Sequence, residues 1–166
     1  MADGAFFVSY GHWGGAAMFV PMITNLASYR TYFANLGRQM GCQMVWANSG
    51  RVLNQEISQV QYPIIWVPVP QARLDRTDGD RWIFTGAMVV LTHCAADDWA
   101  AQDKALEDML DIARAAVAQM TDDAAEQFDF DPDSVEMDHV AHWSADNDWG
   151  WKIEFSLTGA VLCADC

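Results

Sequence analysis

The chain is short of positive charge. Nine Lys and Arg stand against 23 Asp and Glu in 166 residues, giving a formal net charge of −14 and a pI near 4.3. Such a surface repels phosphate, which argues against sequence-reading or non-specific DNA binding through a basic face. Long apolar runs are also missing. No segment reaches the roughly 18 consecutive apolar residues of a membrane span, so no membrane partner is expected. The opening stretch MADGAFFVSYGHWGGAAMFVPM is apolar but carries Asp3 and neither Lys nor Arg. A secretory signal begins on a basic segment, so none is expected here. Cysteine is scarce, limited to Cys42, Cys94, Cys163 and Cys166. Without a secretory signal these read as reduced thiols of a cytoplasmic product. The motifs G-x-S-x-G, Walker A and G-x-G-x-x-G are absent. Acids are too numerous for any pair to stand out as general acid and base. No catalytic, cofactor-binding or metal residue is assigned, and the chain is read as a non-enzyme.

What is present is apolar and aromatic. Hydrophobic residues make up 52% of the chain, with eight Trp and eight Phe, which argues against disorder. The length suits one domain with a core that needs no metal or disulfide staples. Charge is uneven along it. Residues 1–70 carry two acids and three bases, a net +1, whereas residues 71–166 carry 21 acids and six bases, a net −15. The densest run, residues 97–136, has 13 acids against Lys104 and Arg114. It reads either as a solvated face that aids solubility or an acidic adaptation to salt, or as a surface that must not stick to DNA or that meets a basic partner.

Residues 1–21 are rich in Gly and aromatics (Phe6, Phe7, Tyr10, Trp13, Phe19) and lack a helical period. They form an expected arm, which either finds another surface or folds back over its own core. Residues 22–166 form the expected single α+β domain. A helix is predicted from about Pro21 to Met40, with Pro21 in its first turn, a stripe of Leu26, Tyr29, Phe33, Leu36 and Met40, and Gly41 at its end. Residues 42–60 are mixed, with a turn at Asn48-Ser49-Gly50. Residues 62–69, YPIIWVPV, predict a short strand that Pro63 and Pro68 push to an edge or make irregular. A turn at Asp78-Gly79 leads to residues 81–94, the strongest strand, apolar on both alternating sets and so covered on both faces. These two strands are expected to pair as a hairpin. A second helix, capped by Asp97 or Asp98, places Trp99, Leu106, Met109, Leu110, Ala113, Val117 and Met120 on one face. After an acidic loop at residues 121–133 come two strands. Val135, Met137, His139, Ala141 and Trp143 alternate in the first, and Trp151, Ile153, Phe155 and Leu157 in the second. Residues 144–150 connect them. The expected fold is α+β: a mostly antiparallel sheet of about four strands packed against two helices, with an extended N-terminal arm.

Several groupings resemble sites and fail on geometry. Cys163-Ala-Asp-Cys166 trails the last strand, with no helix after it to lower a thiolate pKa. The one candidate partner pair for zinc, His93-Cys94, would point to opposite faces of a strand. His139 and His142 also face opposite ways on a strand; His139 lies on the apolar set and reads as a core histidine, while His12 sits in the arm without a partner. Asp129, Asp131 and Asp133 imitate a calcium loop, but Ser134 and Val140 stand where Gly and Glu are needed. Asp146-Asn147-Asp148-Trp149-Gly150-Trp151 reads as a turn with core tryptophans. A carbohydrate- or receptor-binding module using Trp143, Trp149 and Trp151 is the alternative function. A metal or redox enzyme built on His93, Cys94, Cys163 and Cys166 is a third.

The element order and some local strings resemble the tail-terminator or tail-completion (neck) proteins of tailed bacteriophages. The similarity rests on the first helix, on Gln61-Tyr62-Pro63-Ile64-Ile65-Trp66-Val67, on the long strand 81–94 leading into an acidic helix, and on Asp146-Asn147-Asp148-Trp149-Gly150-Trp151-Lys152-Ile153-Glu154-Phe155. Together these span about residues 22–163, and the arm has no counterpart. The resemblance implies a structural virion protein of viral tail assembly, formed in the bacterial host cytoplasm. It implies a homo-oligomeric ring, with a hexamer favoured, at the head–tail connection between tail-tube and head-connector proteins. DNA would pass through its lumen without specific binding. An edge at residues 62–69 and the apolar arm are the expected ring contacts, the first by strand addition.

Overall fold

The computed structural model describes residues 22–47, 60–77, 79–95, 97–141 and 147–159. The expected arm, the turn at Asn48-Ser49-Gly50, Asp78, His12, His142, Trp143, Cys163 and Cys166 lie outside them, as do residues 144–146 of the predicted connector.

Helix α1 spans Leu26–Gln39. Its start is set five residues after Pro21 by a capping box. Ser28 N–H donates to Asn25 Oδ1 at 2.9 Å and Asn25 N–H donates to Ser28 Oγ at 3.0 Å, which satisfies two donors that the first turn would otherwise leave open. The end falls where expected: Gly41 takes φ +69°, and Cys42 N–H donates back to the Gly37 carbonyl at 2.8 Å. Tyr29, Tyr32, Phe33 and Leu36 are buried, while Leu26, expected in the stripe, is 44% exposed.

Seven strands follow among the described residues: β1 Gln43–Trp46, β2 Ile64–Val67, β3 Gln71–Asp75, β4 Arg81–His93, β5 Phe128–Phe130, β6 Glu136–Val140 and β7 Asp148–Gly159. Helix α2, Trp99–Gln127, lies between β4 and β5. The long strands β4 and β7 pair antiparallel from Ile83↔Thr158 to His93↔Asp148 and form the centre. On the other side of β4 lie β3 and β2, end to end. On the other side of β7 lie β5 and β6, likewise end to end. Strand β1 joins β2 in parallel, so the sheet is mixed.

The expected four strands become seven among the described residues: two long ladders are each broken once, which gives six, and β1 forms in the stretch expected to be mixed. Residues 68–70, Pro-Val-Pro, interrupt β2–β3, and a 3-10 turn at Pro132–Ser134 interrupts β5–β6. Strand β2 is not at an edge. All four of its residues are buried, and β1 and β4 flank it. The two prolines stop at the ends of the ladder and cost it no donor, so the rule that sends proline to edges does not act on β2. The hairpin at residues 75–81 joins β3, not β2, to β4, although β2 also pairs antiparallel with β4.

Helix α2 is N-capped by Asp98, whose carboxylate accepts from Ala101 N–H at 3.0 Å. It runs seven residues past Met120, through sequence expected to be loop. Met120 is buried and Ala124 packs on the core, and neither Gly nor Pro occurs until Pro132. An acidic sequence continues a helix when one side is apolar. Trp99, expected on the buried face, is 78% exposed: it is the first residue of the helix, and burial begins only at Gln102.

Both helices contribute to one core on one side of the sheet. Tyr29, Tyr32, Phe33, Leu36, Met109, Ala113, Ala116 and Met120 meet Ile65, Val67, Phe84, Met88, Val90, Ile153, Phe155 and Leu157. The Phe33 and Phe155 rings stack at 5.5 Å, and the Tyr32 ring meets Phe128 edge-on at 5.1 Å. A smaller cluster of Val45, Ala47, Ile64, Trp66, Val89, Leu91 and Val140 covers the other face at one end. Strand β4 is thus covered on both faces only over its second half; Thr85 is exposed.

Candidate functional site

The described residues offer surfaces more than a cleft. Acidic residues expected as a run become the outer side of α2. Asp103, Glu107, Asp108, Asp111 and Asp122 are exposed there, and Lys104 bridges back to Asp108 at 2.7 Å. Exposed i,i+4 pairs of this kind stabilise weakly. Asp123 departs from the pattern. It accepts from the Tyr32 hydroxyl at 3.0 Å and from Gln119 Nε2 at 2.8 Å, tying α2 to α1. Burial, and then the Asp123 charge beside it, push the Tyr32 phenol well above its ordinary range.

Among the described residues the most deeply buried carboxylate is that of Asp148, at the start of β7. Its side chain is fully buried and accepts from Tyr62 Oη at 2.8 Å, with His93 Nδ1 3.7 Å away. Next to it Asn147 takes φ +62° and donates from Nδ2 to the Cys94 carbonyl at 2.7 Å. These contacts join the segment before β2, the end of β4 and the start of β7. Nothing in the spacing of Tyr62, His93 and Asp148 announced the grouping, because the three lie on separate elements. His93 and Cys94 part as expected, the imidazole exposed and the thiol buried. Among the described residues no three His, Cys, Asp or Glu are grouped to hold a metal ion.

The other candidate residues separate. His139 is exposed, not core: β6 is an edge strand, so its helix-side residues are only partly covered, and the imidazole sits edge-on to Trp151 at 6.3 Å. Asp129 pairs with Arg81 at 3.1 Å, and Asp131 accepts from Asp133 N–H at 3.0 Å in the 3-10 turn, so this trio is dispersed into structural roles. Trp149 and Trp151 are half-buried on the helix side of β7, and Trp151 Nε1 donates to the Leu106 carbonyl of α2 at 2.9 Å. That indole fastens a helix to the sheet.

The sheet edges differ from those expected. Residues 64–67 offer no edge for strand addition. Among the described residues the free edges are β1 and β3 on one side and β5–β6 on the other. On the helix-free face, a shallow groove of about 520 Å3 crosses the sheet at the level of the two breaks, from Pro68 and Val69 past Thr85 and Ala87 to Ser134 and Glu136.

These elements define an α+β protein with two helices packed on one face of a mixed seven-stranded sheet. No family model matches the chain, and no curated protein or solved structure matches it.

Proposed function

We propose that this chain is a structural virion protein, a ring-forming tail terminator or neck component that joins the tail tube to the head connector of a tailed phage. The observation that carries the reading is the pair of unlike open edges, among the described residues, on opposite sides of one sheet. A subunit with two different edges is suited to head-to-tail association, which closes into a ring when the rotation per subunit divides a full turn. The sequence resemblance over residues 22–163 supports the same reading. The exposed acids of α2 suit a surface near DNA that must not hold it, since like charge prevents sticking. A hexamer is the favoured order, and the chain performs no catalysis in this role.

The test is assembly. The purified chain, mixed with tail tubes of its own phage, is expected to cap one end as a ring visible by electron microscopy and to convert incomplete tails into head-joining ones. Tubes that stay uncapped at saturating protein would overturn the assignment.

A further inference from the structure

Resting on that ring-forming reading, we propose that the subunit contact is sheet continuation, with strand β3 of one copy adding antiparallel to strand β6 of the next. Strand β3 runs antiparallel to β4, β4 to β7 and β7 to β6. Continuing the sheet from copy to copy in one orientation therefore sets β3 and β6 antiparallel. Both strands have five residues. Their outer edges pair with nothing among the described residues, and such an edge is a template for another chain.

Charge chooses the partner edge. On the helix-free face β3 presents exposed Gln71 and Arg73. The neighbouring Asp75 carboxylate is turned onto Thr77, accepting from its N–H at 3.0 Å and its hydroxyl at 2.8 Å, and Arg76 pairs with Asp80. Arg73, whose charge acts on Asp75 from a distance, makes no ion pair within 4 Å among the described residues. On the same face β6 presents exposed Glu136 and Asp138. Glu136 lies directly opposite Glu154 in the ladder, and Lys152, opposite Asp138, pairs with Glu154. Like charges directly opposite on neighbouring strands are destabilising. This edge therefore has two carboxylates more than its own cation balances, and a cation from outside relieves them.

A register that sets Arg73 opposite Glu136 also sets Gln71 opposite Asp138. On the helix side it sets Ala72 opposite Met137 and Leu74 opposite Val135. Polar residues then meet polar and apolar meet apolar on both faces. Ala72 borders an apolar cavity of about 170 Å3, shared with Leu26, Trp82 and Phe84, which receives the uncovered part of Met137. Pairing β6 with β6 would oppose carboxylates, and pairing β3 with β3 would oppose arginines. The charges thus disfavour a two-fold edge contact and favour the head-to-tail one.

Sedimentation of the full chain at low ionic strength tests this. Arg73→Glu and Glu136→Arg are each expected to weaken self-association on the order of tenfold, by turning a cross-strand attraction into repulsion. Mixing the two variants restores assembly in alternation. The glutamate introduced on β3 of one variant meets the arginine introduced on β6 of the other, and the unaltered Arg73 and Glu136 meet at the next contact. Gln71→Arg, which adds a cation opposite Asp138, tightens association. All substituted side chains are exposed, so circular dichroism should show each variant folded. A wild-type oligomer that none of these variants changes would overturn the edge pairing while leaving the ring in place. A wild-type chain that is monomeric at every concentration would also overturn the pairing, and the tail-tube assay above then decides separately whether a ring forms on its target.

Discussion

Gly150 is the position where the smallest change should do the greatest damage. It lies in β7 opposite Leu91 of β4, at the centre of the sheet. A Cβ at residue 150 would fall 1.8 Å from the Val90 carbonyl oxygen and 3.1 Å from Leu91 Cα. Ordinary contact lies at 3.4–4 Å, and Cβ contacts under 3.0 Å essentially never occur, so the two central strands must part or shift. Overpacking costs about 1–3 kcal/mol when side chains can move aside. Here the obstacle is backbone within a ladder, which places Gly150→Ala at about 3 kcal/mol or more. For a domain of this size each kcal/mol lowers Tm by about 2–4 °C, so a fall of roughly 6–12 °C is expected. Reversible thermal and urea unfolding, followed by near-ultraviolet dichroism of the tryptophans, measures it. Gly41→Ala is the comparison. That glycine has open space around it and φ +69°, so its cost is left-handed backbone strain of about 1–2 kcal/mol, and Gly41→Asn should recover part of it. A Gly150→Ala protein melting within about 1 °C of wild type would refute the close approach of β4 and β7.

Three further outcomes are expected. Burial pushes the Cys42 thiol up to about 11 from an ordinary value near 9. The folded state then keeps a proton that the unfolded chain loses, so this stability is complete below pH 9 and falls by up to about 3 kcal/mol as pH rises to 11. Buried Tyr29 and Tyr32 shift in the same direction and extend the loss above pH 10. Urea unfolding at about pH 8, 9.5 and 11 checks this, and Cys42→Val should remove the earliest part of the decline. Asn25→Ala breaks the capping box of α1 and should cost about 0.5–2 kcal/mol, read as a shift in urea midpoint without a change in slope. Phe33→Ala should cost about 3–5 kcal/mol, whereas Trp99→Ser, at a residue 78% exposed, should stay within about 0.5 kcal/mol. Equal effects from the last two would contradict the placement of the core.

Periodicity carried the parts of the fold in which one element repeats its own signal. The stripe through Tyr29, Phe33 and Leu36, the Asp98 cap, the two-sided apolar strand ending at His93 and the alternation from Trp151 to Leu157 could all be read along the chain, because each depends on residues two to four positions apart. The end of α2 could not, since Asp122 and Asp123 look like loop until Tyr32, 91 residues earlier, is seen to donate to Asp123.

Contacts between distant segments needed the tertiary structure. That β2 is interior depends on β1, whose four residues have no alternation to mark them. That His139 is exposed depends on β6 having, among the described residues, a partner on one side only. The grouping of Tyr62, His93 and Asp148 unites three elements, and the opposition of Glu136 to Glu154 is a matter of register. Composition determined the net charge of the molecule. Which edge holds the excess carboxylates, and which holds Arg73, was decided by strand pairing, because order along a chain does not specify who lies across a ladder.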